Sequence, residues 1–143
     1  MRQRLSEVDR DIMIPMYWRR AAYTRAAGAT ALTVAAGRTA LITTAITLTE
    51  TSHVKVFGKA VVVTAVNDWG RLELSVARDA VILDYGYGMA NNNAGNIIAE
   101  NAVAQGEDNS LGAGAYNFYL YGEAELATLA IYHMVLAIDI TRA

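Results

Sequence analysis

The chain of 143 residues contains no cysteine, which excludes disulfides and thiolate chemistry and fits synthesis in a reducing cytoplasm. It has a single proline, Pro15, and only two histidines, His53 and His133. Charged residues are scarce at 18%, against 54% hydrophobic, so the chain is apolar for a soluble protein. Even so, no run reaches the roughly 18 uninterrupted apolar residues of a membrane span. The stretch MRQRLSEVDRDIMIP lacks the apolar core of a signal peptide, so no secretory leader is expected. Signature motifs are missing too. There is no GxSxG, no HExxH and no paired-cysteine spacing. GYGMANNN lacks the third glycine of a dinucleotide fingerprint, and AAGRTA does not keep phosphate-loop spacing. A Ser-His-Asp triad would need Ser52, Ser75 or Ser110 beside one of the two histidines. No enzymatic activity, catalytic group, cofactor or metal is therefore expected. The run Glu107, Asp108, Asn109 offers hard oxygen ligands for calcium, but a solvated loop is its ordinary outcome.

What is present divides by charge. Residues 1–38 hold seven arginines against three acids, a net +4, whereas residues 39–143 hold five basic and eleven acidic side chains, a net −6. A basic leader on an acidic body suggests an arm that seeks an acidic partner, or one that folds back on its own body. Within residues 1–38, Ser6 and Asp9 resemble a helix cap, and Leu5, Val8 and Ile12 can share one face of a short helix that Pro15 ends. Then Tyr17, Trp18 and Tyr23 interleave with Arg19, Arg20 and Arg25. Such a mixture could stack on nucleic acid, but it is enriched at protein–protein hot spots, and protein contact is the preferred reading.

From residue 39 the apolar period becomes two, which predicts an all-β domain over 39–143 behind an arm over 1–38. LITTAITLT, HVKVFGKAVVVTAV, RLELSVA, AVILDY and NIIAENAVAQ read as strands. NDWG reads as a hairpin turn and Arg78-Asp79 as a tight turn, while GYGMANNNAG and GEDNSLGAG read as polar, glycine-rich loops. NNNAGN most simply makes tight turns, and could also be an exposed recognition loop. Residues 116–121 read as a strand turning at Gly122-Glu123. Residues 126–140 are rich in helix formers, so a helix over 123–138 competes. A strand is preferred, with Ala130, Tyr132, Met134, Leu136, Ile138 and Ile140 on one face and Leu129, Ile131, His133, Val135, Ala137 and Asp139 on the other. Apolar residues on both faces imply that both are covered, one by the domain's core and one by another copy. On that apolar stretch His133 is expected as a core or interface histidine with a satisfied hydrogen bond.

The succession VKVFGKAVVV, RLELSVARDAVILD, LGAGAYNFYLYGE and IYHMVLAIDITRA resembles the trimeric jelly rolls of the tumour-necrosis-factor and complement-globular-head type. Compact forms of these occur in bacteriophage virions, as head decoration (cement) proteins and as receptor-binding heads of tail fibres. The resemblance covers roughly residues 39–143. It implies an antiparallel jelly roll and a homotrimer whose axis is lined by Tyr116, Phe118, Tyr119, Tyr121, Tyr132, His133 and Met134. The function it implies is a virion structural protein that decorates a phage head and binds the major capsid protein. Tyr17, Trp18, Arg19, Arg20, Tyr23 and Arg25 would then make the capsid contact, with no nucleic-acid or membrane partner. The alternative is a receptor- or glycan-binding tail-fibre head, which usually adds a shaft or docking domain.

Overall fold

A computed structural model describes residues 18–64, 68–93 and 96–143. The expected short helix and Tyr17 lie outside them. The described residues form ten strands: β1 Arg19–Ala26, β2 Thr30–Leu32, β3 Thr39–Leu48, β4 Ser52–Thr64, β5 Asp68–Arg78, β6 Val81–Asn93, β7 Asn96–Ile98, β8 Glu100–Leu111, β9 Gly114–Glu125 and β10 Leu129–Arg142. A single 3-10 turn, Val34–Ala36, separates β2 from β3. Sheet A runs β1-β10-β4-β8, with β2 also on β10, and sheet B runs β3-β9-β5-β6-β7. Every pairing is antiparallel. The all-β expectation therefore holds, as two antiparallel sheets packed face to face.

Alternation explains the packing. On β4 every even residue from Ser52 to Thr64 is buried and every odd one is half-buried, so Val54, Val56, Ala60 and Val62 enter the core. Leu72, Leu74 and Val76 of β5 and Phe118 and Leu120 of β9 meet them from sheet B. Phe118 is fully buried, and truncating it to alanine would cost about 3–5 kcal/mol.

Residues expected as turns or loops prove to be strand in four places. GYGMANNN belongs to β6, and GEDNSL belongs to β8. Their glycines serve close approach of backbones: a Cβ on Gly86 would overlap the Val103 carbonyl, and one on Gly106 would strike Leu83. β6 and β8 can therefore close one side of the sandwich, where Asp84 accepts the Gln105 N–H at 3.1 Å. β9 continues through Gly122-Glu123 to Glu125, and the chain turns instead at Leu126, whose φ is 75°. Nor is NDWG a hairpin, since Asp68–Gly70 opens β5 in sheet B while β4 belongs to sheet A. The Arg78-Asp79 turn does form a hairpin, β5–β6, with Asp79 at φ 49°. Asn117 anchors it, accepting the Asp79 N–H at 2.7 Å and donating its own N–H to the Asp79 carboxylate at 3.0 Å.

The 126–140 region is strand from Leu129, not helix, because β10 is hydrogen-bonded on both sides, by β1 and β4. Its faces differ from the regular alternation expected. Between Tyr132 and Val135 the strand advances three residues while β4 advances two, from Val61 to Lys59. That is a β-bulge, and His133 sits in it at φ 48°. The extra residue switches parity. Leu129 and Ile131 point inward before it, and Met134, Leu136, Ile138 and Ile140 point inward after it.

Residues 19–32 are likewise not a detached arm. β1 pairs with β10 from Arg19↔Ile140 to Ala26↔Met134, and β2 continues along the same strand. The basic leader folds back on the acidic body at two points: Arg20 donates to Asp139 at 2.5 Å and Arg38 to Glu73 at 3.2 Å.

Candidate functional site: the two outer faces

With the inner faces spent on the core, chemistry is left to the outer ones. On sheet A the outward residues of four strands align in cross-strand rows. One row alternates charge across the sheet, Arg20, Asp139, Lys55, Glu107, with Lys55 and Glu107 3.7 Å apart. The next rows are apolar or mixed: Tyr23, Ala137, Phe57 and Gln105, then Arg25, Val135, Lys59 and Val103, then Tyr132, Val61 and Asn101. Tyr23 is 55% exposed and Val103 44%. Among the described residues, Trp18 meets this face, with the Lys55 ammonium 4.3 Å from its ring.

Sheet B carries a different face. Tyr121, Ser75 and Tyr85 form one row, and Glu123, Glu73 and Tyr87 the next. Tyr119 stands opposite Ala77. The Tyr119 and Tyr121 rings stack with centroids 5.2 Å apart, and Tyr85 meets Tyr87 edge-on at 6.1 Å. Glu73 accepts from Arg38 and, at 3.3 Å, from the Tyr87 hydroxyl. The Arg71 guanidinium lies 4.8 Å from the Tyr87 ring and pairs with Glu125. Partial desolvation, then the negative field of Glu73 and the hydrogen bond to it, raise the Tyr87 pKa above the ordinary tyrosine value.

The residues expected to line a trimer axis do not share a surface. Phe118 and Met134 are buried in the chain's own core. Tyr116 packs against that core and donates its hydroxyl to the Gly112 carbonyl. Tyr119 and Tyr121 lie on sheet B, whereas Tyr132 and the exposed His133 lie on sheet A. Of the residues expected to touch a capsid, Trp18 is half-buried beside Lys55, Arg20 is held by Asp139, and Arg19, Tyr23 and Arg25 are exposed on β1.

No catalytic grouping assembles from the serines and histidines considered. Ser52 and His53 are sequence neighbours on opposite faces of β4, and Ser52 donates to the Glu50 carbonyl at 3.0 Å. Ser75 lies under the tyrosines of sheet B, while Ser110 and His133 are exposed elsewhere. Asp108 is held by Arg78 at 2.5 Å and Glu107 by Lys55, so these carboxylates already have cationic partners. Among the described residues no three metal-ligating side chains converge, and no helix is long and apolar enough to cross a membrane. A cleft of about 570 Å³ opens at one end of the sandwich, between Arg19, the β3–β4 turn and the end of β10. Its wall includes an Arg142–Glu50 ion pair but no acid–base pair aimed into it.

Sequence reasoning missed Tyr87 as a site residue because GYGM reads as a loop, and Tyr85 because it only closes the strand AVILDY. The signal was there: Tyr85, Tyr87 and Met89 alternate with Gly86 and Gly88, a period of two. No protein-family model and no curated protein matches the chain.

Proposed function

We propose that the chain is a virion structural protein, a jelly-roll subunit that trimerises and decorates a phage head. The strand orders support the jelly-roll reading. β1-β10-β4-β8 facing β3-β9-β5-β6 is the order produced when a long antiparallel hairpin rolls up into two Greek keys. The observation that carries the assembly reading is the outward-facing apolar strip of sheet A, from the exposed Tyr23 through the half-buried Phe57 and Val135 to Val61 and Tyr132. A strip of this kind on a central strand pair is ordinary for a surface buried by like copies. The trimer contact thus moves from the tyrosines of β9 to the outer face of β4 and β10. The capsid partner rests on the family resemblance, and attachment falls to the segment preceding β1.

Light scattering on the purified protein tests the assembly. A trimer is expected, and Phe57→Asp should yield a monomer with unchanged β circular dichroism, because a charge buried there without a partner is costly. A monomeric wild type would overturn the reading. Rebinding to stripped capsids, with and without residues 1–16, tests the attachment. A second reading, a receptor- or glycan-binding tail-fibre head, is favoured by the tyrosine-rich face of sheet B.

A further inference from the structure

The outer face of sheet B poses a problem of polar satisfaction. Ser75 and Ala77 point outward by the alternation of β5, yet they are 1% and 0% exposed. Tyrosines flank them on both neighbouring strands: Tyr121 and Tyr85 stand opposite Ser75, and Tyr119 opposite Ala77. The stacked pair on β9 and the edge-on pair on β6 make an aromatic floor about 10 Å across at the usual strand spacing. Tyr85 remains 57% exposed and Tyr87 47%, unusual for side chains of this size. Beside the rings stands Glu123, half-buried and directly opposite Glu73. Glu73 has Arg38 and Tyr87 as partners, whereas Glu123 pairs with no described residue.

An occupant must therefore supply two things at once: a flat, weakly apolar surface for the rings, and hydrogen-bond donors for a carboxylate and several phenol hydroxyls. An apolar protein surface would bury Glu123 without a partner, at a cost of several kcal/mol. A single ammonium group would satisfy Glu123 but leave most of the floor bare, and Arg71 already covers Tyr87. A pyranose ring meets both demands, with C–H groups on its faces and hydroxyls around its edge. We propose that this face is a carbohydrate-binding platform for a neutral oligosaccharide. Tyr85 and Tyr121 stack against successive sugar rings, and Glu123 accepts from their hydroxyls. The platform lies on the sheet opposite the proposed trimer face, so it stays open in the assembly, whether the trimer sits on a head or on a fibre.

Saturation-transfer NMR and calorimetry test it, with neutral trisaccharides of glucose, galactose, mannose and N-acetylglucosamine at up to 10 mM. At least one should bind, with saturation transfer strongest at its C–H protons. Tyr85→Ala should weaken binding about five- to tenfold, the worth of one aromatic stacking contact. Tyr85→Phe should keep most of the affinity, and Glu123→Gln should lose about three- to tenfold, as for a charged hydrogen bond. Tyr85 is exposed enough that its loss leaves the core intact, which unchanged thermal unfolding would show. Phe57→Asp, aimed at sheet A, should bind sugar like wild type, so a failed trimer does not imply a failed platform. The proposal is overturned if no trisaccharide binds, if Tyr85→Ala and Glu123→Gln leave binding intact, or if a lysine-rich peptide binds there in a salt-screened manner and the sugars do not.

Discussion

Sheet A and sheet B are built from strands of the same alternating character, yet their outer faces differ in kind. The central outward positions of sheet A are Phe57, Val61 and Val135, aliphatic and aromatic side chains bordered by a row of paired charges. Those of sheet B are Ser75 and Ala77, small residues roofed by tyrosines and bordered by carboxylates. A face of the first kind is satisfied by another apolar surface. One of the second kind already shields its floor and retains unused hydrogen-bonding groups. The lesson is that alternation tells which side chains face outward, and their cross-strand neighbours tell what that face can do.

The largest effect should come from the bulge that sets the sheet-A face. Ile131→Asp and Leu136→Asp, inward on either side of it, would each put an unpaired charge in the core at a cost of several kcal/mol. That rivals the total stability of an ordinary domain, and neither variant should give a cooperative unfolding transition. Deleting His133 should instead be tolerated, because β10 then advances two residues against two on β4 and every inward side chain stays inward. His133→Gly keeps the bulge and relieves a left-handed conformation, so it should stabilise by about 1 kcal/mol. A deletion variant that does not fold would refute the parity switch.

Next in size is the contrast between the faces in assembly. Val135→Asp on sheet A should dissociate the proposed trimer at micromolar concentration, whereas Tyr119→Asp on sheet B should leave it intact. Sedimentation of the two variants decides it. Dissociation by the sheet-B variant alone would transfer the interface to the tyrosines.

Much of this was legible in the sequence. The period of two in RLELSVA and HVKVFGKAVVV marks both as strands, and over 126–140 a strand is preferred to the helix that the composition favours; β10 spans Leu129–Arg142. What escaped was non-local. One inserted residue at His133 leaves no mark on hydrophobicity, because residues on either side are apolar on both faces. The glycines of β6 resemble loop glycines until β8 is known to lie against them. Likewise, Arg20 and Arg38 read as a basic arm until Asp139 and Glu73 are found beside them. The tyrosine platform needs three strands in register, and no single stretch of sequence contains it.

A smaller effect separates the faces in their tolerance of bulk. Ala77 is fully buried opposite Tyr119, so Ala77→Leu is an overpacking that should cost about 1–3 kcal/mol in urea unfolding. In the Phe57→Asp background, Val61→Leu on the outer face of sheet A should change stability by less than about 0.5 kcal/mol. Equal costs would mean that the two faces are equally covered.

The smallest effect concerns one proton. Tyr87 donates to Glu73, and ionising it would remove that donor and set two negative charges together; Arg71 over the ring works against this but does not prevail. The folded state thus favours the protonated phenol. A group whose folded pKa is raised contributes stability that is complete below its unfolded value, about 10 for tyrosine, and that is lost as pH rises through the folded value. The platform should accordingly loosen only in strongly alkaline solution. Glu73→Gln removes the negative field while keeping an acceptor, so the Tyr87 pKa should fall toward the ordinary value. Titration of ring-labelled tyrosines by carbon NMR reads the change. If Tyr87 titrates identically in wild type and Glu73→Gln, the carboxylate does not govern it, and the polar edge assigned to the sheet-B face loses its best-defined hydrogen bond.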